Sequence, residues 1–219
     1  MQDLVEVTGM VLKAETIGEV DKRVVILTKE KGKISCFAKG ARRQGNRLMA
    51  VTDPFCFGSF KLYPGRTAYS ISEAVIQNYF EGMREDFEAA CYGMYFLEVM
   101  DYFTRENNDE KEMLKLLYQS VRALLNKNIS NRLVRYVFEI KAVAINGEFP
   151  GINFGGKTAV DYNESTVYAI DYIYSSSIEK LYTFTVSEVV LNELMEYSRL
   201  LIEKMVDKQF KSNEMLDMF

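Results

Sequence analysis

The chain has 219 residues, of which 48% are hydrophobic and 26% charged, with only 3 Pro and 13 Gly. This composition excludes a disordered tail or a fibre, and the length allows one medium hydrophobic core or two small ones. Because the chain has no His, Ser-His-Asp and Cys-His nucleophile pairs are excluded, as is any zinc site that needs a nitrogen ligand.

The net charge of −4 is unevenly distributed along the chain. Residues 1–80 hold 12 Lys and Arg against 8 Asp and Glu, a net charge of +4, whereas residues 81–219 have a net charge of −8. The hydrophobic periodicity changes from strand-like to helical at the same place. We therefore predict an α+β protein with two domains, 1–80 and 81–219.

The three cysteines and the chain's apolar segments indicate its cellular setting. Cys36, Cys56 and Cys91 are odd in number and widely spaced, so a disulfide framework or CxxC site is excluded and each is interpreted as a small buried hydrophobic residue. The first 15 residues lack the features of a signal peptide, and no segment approaches the roughly 18 apolar residues of a membrane span. We expect a cytoplasmic protein with no membrane association.

Residues 1–80 contain five short runs of β-branched and aromatic residues separated by Gly, Pro and polar turns. They predict strands over Val5–Lys13, Arg23–Thr28, Lys33–Ala38, Phe55–Tyr63 and Tyr69–Tyr79. Glu30-Lys31-Gly32 is a turn signal in which Gly32 would supply a positive φ, so the second and third strands are expected to form a hairpin. Five strands in a segment of this length predict one small β-barrel or sandwich.

The rest of the chain is typical of amphipathic helices. Apolar residues at three- and four-residue steps predict one helix from Asp86, a second after the cap candidates Asn108-Asp109, and a third between Ser130 and Gly147. For a fourth helix, Thr185 and Glu188 fit a capping box, and Phe184 with Val189 fits a hydrophobic staple. Four such helices predict a helical second domain.

The segment Gly147–Tyr182 breaks the helical pattern between the third and fourth helices. Asn163-Glu164-Ser165 separates two possible short strands, Thr158–Tyr162 and Val167–Tyr172, so the segment is interpreted as an insertion at about 148–182. Its many tyrosines favour a half-buried hairpin, with a contact surface as the alternative.

The most informative stretch for function is Lys22–Arg47, in which nine basic residues accompany a single acid, Glu30. A polyanion would neutralise this charge by counterion release, and Gly40 and Gly45 would let the flexible loop 39–47 follow a phosphate backbone. A solubilising surface is the alternative interpretation. The residues predicted to contact DNA phosphates are Lys22, Arg23, Lys39, Arg42, Arg43 and Arg47. Phe37, Phe57 and Tyr63 could stack on bases beside them, although strand aromatics are more often part of a core.

No enzymatic activity is expected. The patterns GxGxxG, GxSxG and HExxH do not occur in the sequence, and we expect no phosphate-binding loop. The acidic clusters at residues 85–88 and 107–110 lie at predicted helix starts, where acids offset the helix dipole. We therefore expect no catalytic residue, metal or other cofactor.

Several motifs occur in an order that is characteristic of one family. They are Val11-Leu12-Lys13, Gly18–Lys22, Thr28–Lys33, the loop Lys39–Arg43, Phe80–Asp86, Asn146–Pro150 and Lys211-Ser212. In these motifs the chain resembles the RecO family of bacterial DNA repair and recombination mediators, over nearly its whole length.

The resemblance implies an OB-fold N-terminal domain and a helical C-terminal domain. It also implies binding to single- and double-stranded DNA, annealing of complementary strands, and contact with RecR and single-stranded-DNA-binding protein while RecA is loaded. A nucleoid-associated location in the cytoplasm would follow. Many members carry a four-cysteine zinc module after the turn that ends at Pro150, but Gly151–Tyr182 contains no Cys or His, so we expect no zinc.

The helical domain has a candidate partner site. The acidic C-terminal tail of single-stranded-DNA-binding protein would need a local basic and apolar pocket, and Arg132 and Arg135, near Leu133 and Tyr136, are candidates for part of it. This leaves an alternative function open, a protein-interaction adaptor that acts mainly through its acidic helical domain and is only weakly tethered to DNA. A nuclease ranks third.

Overall fold

A computed structural model describes residues 4–216 and Met218. Five strands come first: β1 (Val5–Ile17), β2 (Asp21–Thr28), β3 (Gly32–Ala38), β4 (Phe57–Tyr63) and β5 (Tyr69–Asn78). They form a closed barrel in the order β1-β2-β3-β5-β4, in which β3 and β5 are parallel and the other neighbours antiparallel. The predicted OB-fold barrel is confirmed.

The barrel closes because β1 is long enough to pair on both sides. Its first half pairs with β4 and its second half with β2, and the register shifts between Val11 and Lys13. Such a bulge bends a strand and increases its twist, which closure requires. The inward side chains of β1 to β4, among them Val24, Ile34 and Phe60, form the buried core, and β5 adds the buried Ile71 and the partly buried Ala74 and Ile76. Gly32 has a φ of 66°, as the predicted hairpin turn requires. β4 begins two residues later than predicted because Phe55, with a φ of 70°, is not extended.

The rest of the described chain is helical. Its helices are α1 (Gly82–Glu85), α2 (Phe87–Phe103), α3 (Lys111–Leu124), α4 (Asn131–Ile145), α5 (Glu164–Ser175), α6 (Glu188–Met205) and α7 (Asn213–Leu216). The predicted start of α4 is confirmed, since the Ser130 hydroxyl accepts a hydrogen bond from the Leu133 N–H at 3.2 Å. Within the described residues, no helix combines the length and apolar character needed to cross a bilayer.

The predicted strands of the insertion are wrong. Residues 159–161 form one turn of 3-10 helix, and α5 replaces the second strand. Asn163 caps α5, because its Oδ1 accepts the Ser165 N–H at 2.9 Å. The buried face of α5, which consists of Thr166, Ala169, Ile170 and Ile173, has helical spacing.

The predicted cap of the last helix is also wrong. α6 begins at Glu188, and the Ser187 hydroxyl, rather than that of Thr185, accepts the hydrogen bond from Val190 N–H. With Ser187 as the cap, Phe184 and Val189 do not occupy the two staple positions, and Val189 is 58% exposed. The predicted core face is confirmed for Val190, Leu191, Leu194, Tyr197 and Leu201, which are buried.

The chain divides into two compact units. One comprises the chain up to Glu85 together with Leu97–Leu114, and contains the barrel. The other comprises Asp86–Phe96 and the chain from Lys115 onward. In this helical unit α4 packs against both α5 and α6, and the Phe138 ring stacks on Phe96 with centroids 4.0 Å apart.

Candidate nucleic-acid interface

The loop between β3 and β4 is folded onto the barrel end, and the expectation that it is flexible is wrong. Ala41, Leu48 and Val51 insert into the barrel core. The Gly40 N–H donates to Asp21 Oδ1 at 2.6 Å, and the Arg42 N–H donates to the Val20 carbonyl at 2.9 Å. The loop is therefore held against the turn between β1 and β2.

This folded loop presents basic side chains on its outer surface. Lys39, Arg42, Arg43 and Arg47 are all exposed. Arg42 Nη1 donates to the Glu19 carbonyl at 2.8 Å, and Arg47 Nη2 to the Ser72 carbonyl at 2.9 Å, which fixes two of the guanidinium groups without neutralising them. Within residues 4–216, no ion pair is formed by any of the four side chains. They form a group of exposed positive charges on one loop, here called the basic end.

The other basic residues of the stretch are arranged differently. Lys22 Nζ pairs with Asp53 Oδ1 at 2.8 Å, with the Lys22 side chain only 16% exposed, and Lys33 Nζ pairs with Asp101 Oδ1 at 2.8 Å. Lys22 therefore helps to hold the loop and is less available to a phosphate than its neighbours. Lys29 and Lys31 lie at the β2–β3 turn, a hairpin length of roughly 20 Å from the basic end. The tertiary fold thus separates the basic residues of Lys22–Arg47 into two groups at opposite ends of the hairpin.

A row of paired residues crosses the outer surface of the barrel beside the basic end. Arg23 pairs with Phe37, Phe37 with Ser70, and Ser70 with Tyr63, on β2, β3, β5 and β4. Paired residues on neighbouring strands point to the same side of a sheet. Phe37 is 37% exposed and Tyr63 is 44% exposed. This set, here called the aromatic row, brings together two of the three predicted stacking residues.

The remaining predicted aromatic lies elsewhere. Phe57 is half-buried at the opposite end of β4, where it pairs with Met10 and Asn78. One further residue, Arg66, was not predicted. It is exposed in the turn between β4 and β5, close in sequence to Tyr63, and the signal was the turn sequence Pro64-Gly65-Arg66 after an aromatic strand.

The helical unit contains a cleft of about 1040 Å³ that includes both predicted partner residues. Its basic lining consists of Arg132, Arg135, Arg199, Lys208 and Lys211, and its apolar lining includes Tyr92, Met195 and Ile202. Acidic residues line it as well, among them Glu203, which pairs with Arg199 at 3.2 Å. Arg132 donates to Asn192 Oδ1 at 3.1 Å and pairs with Glu188 at 3.8 Å, and its side chain is 36% exposed, so part of the guanidinium faces solvent.

Arg135 has a structural role at the base of this cleft. Its Nε donates to Glu139 Oε1 at 2.8 Å, its Nη2 donates to Asn213 Oδ1 at 2.9 Å, and its guanidinium lies 4.9 Å from the Tyr95 ring centroid. Burial opposes the charge of Arg135, but the Glu139 carboxylate together with Tyr95 and Tyr136 outweighs it, and the pKa of the guanidinium is raised. The Tyr95 hydroxyl and the Ser198 hydroxyl also donate to Glu139.

One sequence pattern runs contrary to the expectation of no phosphate-binding loop. Residues 151–158 match GxxxxGK[ST], a pattern that binds phosphates when a strand precedes it and a helix follows. Here the helix α4 precedes it and one turn of 3-10 helix follows. Lys157 pairs with Glu196 at 2.5 Å, and the Thr158 N–H and hydroxyl both donate to Asp161. The lysine and the threonine that would hold a phosphate are therefore already paired within the fold.

Comparison with known proteins identifies matches over most of the chain. Residues 1–80 match the family model described as "Recombination protein O N terminal", and residues 84–158 match "Recombination protein O C terminal". The chain is 27% identical to the DNA repair protein RecO of Acetivibrio thermocellus over 93% of this chain and 92% of the relative. It is 27% identical to that of Clostridium perfringens over 97% of both chains, and 32% identical to that of Alkaliphilus metalliredigens over 67% of this chain and 60% of the relative.

Proposed function

The chain belongs to the recombination protein O family of DNA repair proteins, and we propose that it is a non-enzymatic recombination mediator. In this proposal the OB-fold domain, residues 1–80, binds single- and double-stranded DNA, and the helical domain, residues 81–219, binds protein partners. The protein would anneal complementary strands and help to load the recombinase onto strands covered by single-stranded-DNA-binding protein. It would act in the cytoplasm, in association with the nucleoid.

The observation that carries this proposal is the basic end of the barrel. Its charge is exposed and held on a folded loop, so little conformational entropy is lost when a phosphate binds. Contacts from Arg23, Lys39, Arg42, Arg43 and Arg47 to phosphates would position DNA without reading its sequence. Neutralising two strands in this way would lower their repulsion while leaving the base edges free, which favours annealing.

Salt-dependent binding tests the DNA site. We expect replacement of Arg42 and Arg43 together by Ala to weaken DNA binding. It should also reduce the steepness of log affinity against log salt by the contribution of about two phosphate contacts, each of which contributes ~0.7 for single strands and ~0.9 for duplex. Fluorescence anisotropy with labelled oligonucleotides gives the slope. A variant with Arg122 and Lys180 replaced by Ala removes the same charge from exposed positions in the helical unit and should leave the slope unchanged. An unchanged slope and affinity in the Arg42 and Arg43 variant would remove this loop from the site.

The cleft of the helical unit is the proposed site for the acidic tail of single-stranded-DNA-binding protein. A tail carboxylate would contact Arg132, and its apolar side chains would pack against Tyr92, Met195 and Ile202. We expect Arg132→Ala to weaken binding of an acidic tail peptide about tenfold or more, since a charge-assisted hydrogen bond is lost. Arg122→Ala is the matched control on α3. RecR is a further proposed partner.

The cleft also favours the second candidate function, an adaptor that depends mainly on its helical domain. The two functions differ in which variant abolishes recombinase loading on protein-covered strands. Loss of loading in the Arg42 and Arg43 variant supports the DNA-binding mediator. Full loading by that variant, with loss in Arg132→Ala, supports the adaptor.

A further inference from the structure

We propose that the aromatic row makes the barrel selective for single-stranded DNA, because Phe37 and Tyr63 stack on unpaired bases while the basic end holds phosphates of either DNA form. This inference rests on the proposed function, since it assumes that DNA lies against the barrel. The basic end alone would not distinguish single-stranded from double-stranded DNA, whereas the aromatic row would contact bases.

The positions of the two rings follow from the strand register. Phe37 and Tyr63 both pair with Ser70, from opposite sides of β5, so their side chains emerge on the same surface. Neighbouring strands are about 4.8 Å apart, which places the two rings roughly 10 Å from each other. Between them lies the small Ser70 side chain, which leaves room for a base to approach each ring.

Both rings are available to a ligand. Within the described part of the chain, neither ring packs against another aromatic ring, in contrast to the interior aromatics of the helical unit. Exposing apolar ring surface to water is unfavourable, so two such rings in one row beside a basic loop need an explanation. A ligand with flat apolar faces and negative charges satisfies both features, and a single-stranded nucleic acid is such a ligand.

A basic residue neighbours each aromatic residue, in the strand register at Phe37 and in the sequence at Tyr63. Arg23 pairs with Phe37, and its Nε donates to Ser35 Oγ at 2.9 Å, which keeps the guanidinium over β3. Glu15, the other neighbour of Arg23, is already paired with Lys13 at 2.5 Å. Next to Tyr63, Gly65 permits a tight turn, since a Cβ there would lie 2.2 Å from the Ala68 carbonyl oxygen. Arg66 is exposed in that turn, three residues after Tyr63.

The spacing of the rings explains the selectivity. In a duplex the bases stack on one another with a rise of about 3.4 Å, so their faces are covered and cannot meet rings that lie roughly 10 Å apart. In an unpaired strand the bases can separate and stack individually on aromatic side chains. The rings therefore contribute to binding of single strands only, whereas the basic end contributes to both.

The test uses the full chain with Phe37 and Tyr63 replaced by Ala, and three probes of equal length: oligo(dT), an abasic oligonucleotide with the same phosphates, and a duplex. Stacking on one ring corresponds to an affinity change of about 5- to 150-fold, so we expect a loss in this range or greater for oligo(dT). The abasic and duplex affinities and the salt slope should not change. Phe37→Tyr with Tyr63→Phe should restore oligo(dT) binding, and Tyr79→Ala, an equally exposed aromatic outside the row, should leave all three affinities unchanged.

The outcomes separate this inference from the function on which it rests. Unchanged oligo(dT) binding, or an equal loss for all three probes, overturns the stacking role. If the Arg42 and Arg43 variant still loses affinity in that case, the proposed DNA site stands without the aromatic row. If none of the barrel variants alters binding to any probe, both proposals fail.

Discussion

Replacing Glu139 by Ala removes an acceptor that three donors share inside the helical unit. Glu139 is 2% exposed, and it accepts hydrogen bonds from the Tyr95 hydroxyl, the Arg135 guanidinium and the Ser198 hydroxyl. The substitution leaves the Arg135 charge without its carboxylate in a position where the arginine side chain is only 23% exposed. Tyr95 cannot relieve this by ionising, because burial raises its pKa well above the ordinary value.

The expected loss follows from these contacts. Removing one partner of a buried ion pair costs about 3–5 kcal/mol of stability, and leaving a buried hydroxyl without an acceptor costs about 1–3 kcal/mol. The terms overlap because the hydroxyls can reorient, so we expect Glu139→Ala to lower the free energy of unfolding by about 3–5 kcal/mol. Removing the stranded charge as well, by Arg135→Met, should recover at least ~1 kcal/mol, since a buried pair can often be replaced by apolar residues at little cost.

Chemical denaturation followed by circular dichroism measures these differences. The matched control is Glu203→Ala, which breaks an Arg–Glu pair of the same i,i+4 spacing, Arg199–Glu203, whose side chains are 63% and 56% exposed. It should change stability by no more than about 0.5 kcal/mol. A loss below about 1 kcal/mol for Glu139→Ala, or a double variant no more stable than Glu139→Ala alone, would refute the reasoning.

Three further results are expected. Asp86→Ala should cost about 1 kcal/mol at neutral pH, because the carboxylate accepts a backbone N–H at the start of α2. This hydrogen bond lowers the pKa of Asp86. The contribution of Asp86 to the free energy of unfolding is therefore complete above the ordinary Asp pKa and disappears as the pH falls through the folded-state pKa. Measuring the stability of the parent protein and of Asp86→Ala at decreasing pH should show the two values converge. Burial raises the pKa of Cys36 to about 12, that of Cys56 to about 11, and that of Cys91, so a thiol reagent at neutral pH should label all three only after unfolding. Metal analysis should detect no stoichiometric zinc, because residues 151–182 lack Cys and His, and its presence would contradict that prediction.

The barrel could be predicted from the sequence because its signals are local. Each strand alternates or runs apolar between turn residues, and the Gly32 turn is signalled by its immediate neighbours, although the fold also packs Gly32 against the Arg105 carbonyl. The start of α4 was predictable for the same reason, since Ser130 is followed at once by an apolar helical period. The order of the strands around the closed barrel required, in addition, the resemblance to a known family.

The insertion shows where local signals mislead. Its β-branched and tyrosine residues favour strands, but Asn163 supplies a cap and the buried residues of α5 repeat with helical spacing. At the next helix, Thr185 and Ser187 are both competent caps. The Phe184 ring packs against Tyr172 with centroids 5.3 Å apart, and the helix begins after Ser187, whose hydroxyl accepts the Val190 N–H.

The pattern at residues 151–158 shows that a local sequence match also does not establish a binding site. Its letters match a phosphate-binding loop, but the property depends on a preceding strand, a following helix and a free lysine. The partner of Lys157 is Glu196, which is distant in the sequence. Only the folded chain shows that Lys157 is already engaged in an ion pair.

By itself, the sequence determined the two kinds of secondary structure and the concentration of positive charge in the first of them, because both depend on composition and on neighbours within a turn or strand. Which of those charges remain available was decided only by the tertiary structure. Lys22 and Lys33 are paired with Asp53 and Asp101, 31 and 68 residues away, whereas Arg42 and Arg43 are not paired within residues 4–216. The aromatic row depends in the same way on barrel closure, because Phe37 and Tyr63 share a surface only once β5 lies between their strands.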